Sequence, residues 1–171
     1  MAEAIPEILI LGPERSGKSL LVRRLKLFVQ GAPDEVITNT TRPTMGVERD
    51  IIEISSRKFV FKEVGSTMMT TWSSYLPHCS MLIFTIDSSN RVIFSVACCE
   101  LMSCLVKLPK DIPVVIVFTH DDAPEQIKKW ELECILRLED LKASRGSIKT
   151  ISINNINGHG IRNLIAEIAL Q

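Results

Sequence analysis

Residues 12 to 19 read GPERSGKS: a glycine, four further residues, then Gly-Lys-Ser. That is the spacing of a loop that wraps phosphate. Gly12 and Gly17 let the backbone turn tightly enough for its N–H groups to face phosphate oxygens. Lys18 can then reach the β- and γ-phosphates, and the Ser19 hydroxyl can bind Mg²⁺. The nucleotide-contact set of this loop is Gly12, Glu14, Arg15, Ser16, Gly17, Lys18, Ser19 and Leu20. With glycine at its average frequency, such a pattern arises by chance in fewer than about one in a hundred chains of this size. The loop also follows an apolar run, EILIL at 7 to 11, and leads into a helical pattern, whose N-terminal dipole favours an anion.

Two carboxylates end apolar runs where they can support a metal. Asp87 closes SMLIFTID, and Glu63 closes KFVFKE. Asp87 has a second reading as a helix cap in DSSN. The five cysteines, at 79, 98, 99, 104 and 134, contain no C-x-x-C pair, and the histidines at 78, 120 and 159 are not at metal-ligand spacing from them. This pattern fits reduced thiols and neither a zinc site nor a disulfide framework.

The elements that must position these groups alternate along the chain. Strands are expected at 7–11, 47–54, 58–64, 80–86, 112–118 and 147–153, and helices at 18–29, 91–108, about 124–142 and 160–170. A short Ser-Ser-Arg turn joins the second and third strands into a hairpin. The other strands are near-continuous apolar runs, as in a parallel sheet covered on both faces. Pro124, following Asp121-Asp122, marks a helix start. The expected fold is α/β: a six-stranded, mostly parallel sheet with one antiparallel edge strand and helices on both faces, as one domain over residues 1–171.

Twenty basic and twenty acidic side chains cancel, which leaves no electrostatic footprint for nucleic acid or an anionic membrane. The short basic cluster VRRLK at 22–26 reads as a solvated helix face. No apolar stretch reaches the ~20 residues of a membrane span. The N-terminus lacks a signal-peptide plan, and Ala2 stands where myristoylation requires glycine. No prenylatable cysteine ends the chain, so a cytoplasmic protein without its own membrane anchor is expected.

TRPTMGVE at 41–48, followed by EVGSTMMTTWSSYL at 63–76, resembles the ADP-ribosylation-factor-like branch of the Ras-type small GTPases. The resemblance implies a Ras-like P-loop fold binding GTP or GDP with Mg²⁺, and two nucleotide-sensitive switches around Thr44 and Gly65. It implies that Thr44 joins Ser19 as a metal ligand and senses the γ-phosphate, with Gly65 offering its N–H to the same group. Glu14 matches the acidic P-loop residue of the family. The base-reading loop corresponds to Thr119, His120 and Asp122, with Asp122 on guanine and His120 against the ring. Asn154 and Asn155 stand in the last base-side loop. The family's aromatic effector patch corresponds to Val47, Lys62 and Tyr75, which leaves one aromatic. Trp72 nearby reads as core beneath the switch or as a partner contact.

Several positions depart from the family pattern Asp-x-Gly-Gly-Gln. Glu63 is one methylene longer than the aspartate, which should disturb a water-mediated Mg²⁺ contact. Ser66 replaces the second glycine and narrows the freedom of the switch, and Thr67 replaces the glutamine that orients the attacking water. Thr119 loses the amide that ties the base loop to the P-loop. The family's N-terminal amphipathic helix is expected to be absent, since a handful of residues precede the first strand. The expected protein is a monomeric GTP-binding switch with weak or assisted hydrolysis, which binds effector and regulatory proteins and does not bind nucleic acid. Partners would recruit it to Golgi or cilium-related membranes for trafficking work. A pseudo-GTPase scaffold without a cycle is one alternative, and an ATP-dependent P-loop enzyme using Asp87 is another.

Overall fold

Three apolar runs with no polar face to turn to water must lie where both sides of a sheet are covered. In a computed structural model they form its middle. The structure describes residues 4–33, 35–38, 42–120 and 126–171, and of residue 129 the backbone only. The order is β1 (Glu7–Leu11), α1 (Lys18–Val29), β2 (Val47–Ile54), β3 (Arg57–Val64), 3₁₀ segments Ser66–Ser74 and Leu76–His78, then β4 (Met81–Asp87) and α2 (Arg91–Lys107). It continues with β5 (Val114–Thr119), α3 (Lys129–Ile135), α4 (Leu138–Ser144), β6 (Ile148–Ile153) and α5 (Ile161–Ala169).

The strands lie in the order β2-β3-β1-β4-β5-β6. Every pairing is parallel except β2 with β3. All residues of β4 and β5 are buried, whereas β2, reading VERDIIEI, sits at the edge with most of its residues exposed. Charged side chains on an exposed edge discourage a foreign strand from pairing there. The hairpin turn is tighter than expected, because Ile54 pairs directly with Arg57. Ser55 and Ser56 bridge the strands with φ of 51° and 64°, the positive values of a two-residue turn matched to strand twist.

Apolar side chains fill both faces of the sheet. Leu21, Leu25, Leu164 and Ile168 of α1 and α5 pack over one face. Phe94, Leu101, Leu132 and Leu141 of α2, α3 and α4 pack over the other, where Trp72 meets Phe84 edge-on. The single helix expected at about 124–142 is two. Arg137, at φ 48°, breaks it. Residues 126–128 are not helical, because Ile127 is tied to the end of β4 through its N–H to Ser88 O at 2.8 Å. Glu131 then accepts the Lys128 N–H at 3.0 Å and opens α3. Pro124 lies outside the described residues. Among the described residues no helix is long and apolar enough to cross a membrane.

Candidate functional site

The chain leaves the carboxyl end of β1 into the glycine loop, and residues 12–17 curl with φ of 150°, 61° and 84° at Gly12, Arg15 and Gly17. A side chain at Gly12 would collide with the hydroxyl and carbonyl of Thr85. Ser16 is fully buried and shares a 2.6 Å hydrogen bond with the Thr85 hydroxyl, pinning the loop to β4. Gly17 leaves the N-terminus of α1 without a side-chain cap, so its first N–H groups remain available to an anion. Lys18 folds back over the loop and donates to Gly12 O at 2.9 Å and Pro13 O at 2.8 Å. Burial lowers its pKa from 10.5 to about 8, opposed by the charges of Glu63 and Glu14. Leu20 is buried beneath the loop.

In front of Lys18 opens a cleft lined by Glu14, Arg15, Ser19, Thr44, Glu63, Gly65 and Ser66, among others. At its floor three elements bring oxygens together. Ser19 Oγ, at the start of α1, donates to Glu63 Oε1 at 2.7 Å. Thr44 Oγ1, ahead of β2, donates to the same oxygen at 3.0 Å and lies 3.3 Å from Ser19 Oγ. Burial pushes the Glu63 carboxyl above its usual range, while the two hydroxyls pull it down. Asp87 is elsewhere: it accepts the N–H and hydroxyl of Ser89 and sits 3.3 Å from His120 Nδ1. The cap of α2 is Asn90, whose side chain accepts from Val92 and Ile93 N–H, so the helix-cap reading of Asp87 is corrected.

Of the positions expected to meet the base, Thr119 and Asn155 lie against the P-loop. Thr119 does not lose the tie to that loop. Its hydroxyl donates to Ser16 O at 3.1 Å, because β5 ends close enough for a short side chain to span the gap. Asn155 adds a second tie, from Nδ2 to Gly17 O at 3.2 Å, and its buried Oδ1 has no partner. Asn154 accepts from the N–H groups of Ile156 and Asn157 and so shapes the loop. His120, at φ 57°, is half-buried at the end of β5. Asp122 lies outside the described residues.

The segment expected to form the second switch opens at Gly65, whose N–H donates to Gly46 O at 2.8 Å and therefore faces the β2 side. A Cβ on Gly65 would collide with the Thr44 carbonyl, so the two segments expected to switch touch here. Gly65→Ala is expected to push Thr44 outward and cost about 1–3 kcal/mol, read as a lower urea midpoint. Ser66 is half-buried at the cleft and Thr67 is exposed. Of the positions matched to the effector patch, Val47 is exposed and Tyr75 half-buried. Lys62 is buried between Glu7, its ion-pair partner, and the Tyr75 ring, so it presents no surface to a partner. Trp72 is 1% exposed and donates to Gly65 O at 3.2 Å, which makes it core.

Two residues escaped the sequence reading. Arg42, two positions before Thr44, lines the cleft. Arg24, within the cluster read as a solvated face, is fully buried. Its guanidinium donates to Asn155 O at 2.8 Å, Pro33 O at 2.8 Å, Glu35 O at 3.0 Å and Ile156 O. The signal was present in the helix period: Arg24 follows the buried Leu20 and Leu21 by four and three residues.

The orphaned Asn155 oxygen, the uncapped α1 N-terminus, the buried Lys18 and the oxygen cluster all suit a magnesium-bound nucleotide. A glycine loop after the central strand, an antiparallel hairpin beyond it and base-side loops after β5 and β6 define the small-GTPase class of P-loop fold. The chain matches the ADP-ribosylation factor family over residues 3–170. It is 32% identical over 162 residues to human ADP-ribosylation factor-like protein 16, spanning 92% of this chain and 82% of that one. It is 28% identical over 157 residues to ADP-ribosylation factor-like protein 1 of Saccharomyces cerevisiae, spanning 90% and 80%. The chain belongs to the ADP-ribosylation factor family. Its fold is that of the Arl6 BBS3 small GTPase from Trypanosoma brucei, solved with the nucleotide analogue GppNp, at TM-score 0.75, 20% identity and 98% coverage of both chains.

Proposed function

We propose that this chain is a guanine-nucleotide switch that binds Mg²⁺-GTP, acts as a single-domain monomer and hydrolyses its nucleotide slowly or only with help. The observation that carries this reading is the convergence of Lys18, Ser19, Thr44 and Glu63 on one cleft while Thr67 stands at the position of the catalytic glutamine. Lys18 and the P-loop N–H groups would hold the phosphates, and Ser19 and Thr44 would hold the metal, which would supply neutralisation of phosphate charge. Asn155 with Thr119 fixes the base loop against the P-loop. His120 and Asp122 complete the base site.

Switching follows from Gly65. Its N–H donates to Gly46 O here and would exchange that acceptor for the terminal phosphate, which would move the segment that follows. Val47 and Tyr75 then face effectors and regulators. A role in membrane traffic, with recruitment to Golgi or cilium-related membranes by partners, rests on the family alone. The departures at Ser66 and Thr67 favour a second reading, a scaffold in which nucleotide only stabilises the fold.

Fluorescent GDP, GTP and ATP analogues test the first reading, with and without Mg²⁺. Mg²⁺-dependent guanine binding that ATP does not displace is expected, and binding of no nucleotide would remove it. Single-turnover hydrolysis is expected below the ~10⁻⁴ s⁻¹ of an unassisted Ras-type protein, because a threonine hydroxyl is too short to orient the attacking water. Turnover at or above that rate contradicts the slow-hydrolysis claim. A partner that separates GTP-bound from GDP-bound protein more than a few-fold excludes the scaffold.

A further inference from the structure

We propose that Glu63 is itself a ligand of the divalent cation, bound directly through Oε1 and not through an intervening water. The proposal rests on the nucleotide reading above.

Its ground is the shape of the oxygen cluster. Ser19 Oγ, Thr44 Oγ1 and Glu63 Oε1 form a triangle with sides of 2.7, 3.0 and 3.3 Å. Magnesium holds six oxygens at 2.0–2.1 Å in an octahedron, so neighbouring ligand oxygens stand about 2.9 Å apart. The three side chains therefore already form one face of such an octahedron. Each comes from a different segment: Ser19 from the first turn of α1, Thr44 from the loop leading into β2, and Glu63 from β3, paired on both sides with β1 and β2. Two hydroxyls and one carboxylate oxygen are hard donors, suited to Mg²⁺ or Mn²⁺. Among the described residues no group of three His, Cys, Asp or Glu side chains offers a rival metal site.

Side-chain length explains why this chain differs from an aspartate at the same point. An aspartate, one methylene shorter, would place its oxygen farther from the two hydroxyls and leave room for water. The glutamate carries Oε1 to 2.7 Å from Ser19 Oγ and 3.0 Å from Thr44 Oγ1, the separations of neighbouring ligands, so its oxygen takes the position that a bridging water would hold. When the cation occupies the face, the two hydroxyl protons that now point at Oε1 rotate away and the oxygen lone pairs turn to the metal. No covalent bond changes. The cation keeps one water fewer than it would beside an aspartate and gains a full negative charge in its shell. The metal then joins Thr44 to Glu63 where a hydrogen bond joins them without it.

The test counts waters. Wild type and Glu63→Asp are loaded with Mn²⁺ and a non-hydrolysable GTP analogue, and electron paramagnetic resonance in ¹⁷O-enriched water gives the number of water molecules on the metal. One more water in Glu63→Asp than in wild type is expected. Equal counts overturn the proposal while leaving the nucleotide reading intact. Failure of wild type to bind the Mn²⁺–nucleotide complex overturns both. Wild-type protein labelled at the glutamate carboxyl carbon with ¹³C gives an answer without any variant. A resolved ¹³C coupling to Mn²⁺ supports direct ligation, and its absence refutes it.

Discussion

Lys18→Ala is expected to weaken guanine-nucleotide binding by about 100- to 1,000-fold, the equivalent of about 3–4 kcal/mol. The ammonium is buried, rests on two carbonyls of its own loop and borders the cleft. Arg15 and Arg42 also line the cleft, but the Lys18 ammonium is the cation held against the glycine loop's own carbonyls. Lys18→Arg should not rescue, because a planar fork cannot occupy the space of a compact point charge. Titration with a fluorescent GDP analogue measures the loss, and affinity within a few-fold of wild type would refute the assignment.

The same lysine shapes the stability of the ligand-free protein. Its folded pKa is about 8 against an ordinary 10.5, so between these values the unfolded chain binds more protons. Stability from this group therefore rises with pH across that window. The burden of its burial is complete below about pH 8 and absent above about 10.5. Urea midpoints compared between wild type and Lys18→Met from pH 7.5 to 9.5 should converge as pH rises. Parallel curves would contradict this account.

Arg24→Ala is expected to lower stability by about 3–5 kcal/mol, near the whole margin of many domains. The loss is of hydrogen bonds and of fill: four carbonyls from two loops would lose a fully buried partner. A buried acceptor left alone costs about 1–3 kcal/mol, and water entering the space offsets part of the sum. Arg24→Lys should recover little, since one ammonium cannot serve the segment at 33–35 and the base-side loop at 155–156 together. Urea unfolding measures the change. A midpoint unmoved in Arg24→Ala would show that the two loops hold themselves.

The sequence alone determined the local parts of this protein. The GPERSGKS loop, the apolar strands 7–11, 81–87 and 114–119 and the helix at 18–29 stand within a residue or two of where pattern and turn chemistry put them. Such features are local, because hydrophobic period and glycine torsions act over a few neighbours. The likeness at 41–48 and 63–76 also led to the family that the whole-chain comparison shows. Only the tertiary structure decided the contacts between segments far apart in the chain. Arg24 looks like half of a solvated basic pair until the carbonyls of Pro33, Glu35, Asn155 and Ile156 gather around it. Thr119 looks like a lost amide until β5 brings its hydroxyl to Ser16. Lys62 reads as a changed effector position until Glu7 and Tyr75 enclose it. Glu63 reads as a lengthened aspartate until β3 sets its oxygen between Ser19 and Thr44. In each case a polar side chain takes its role from the partners that satisfy it, and sheet order, not sequence distance, chooses them.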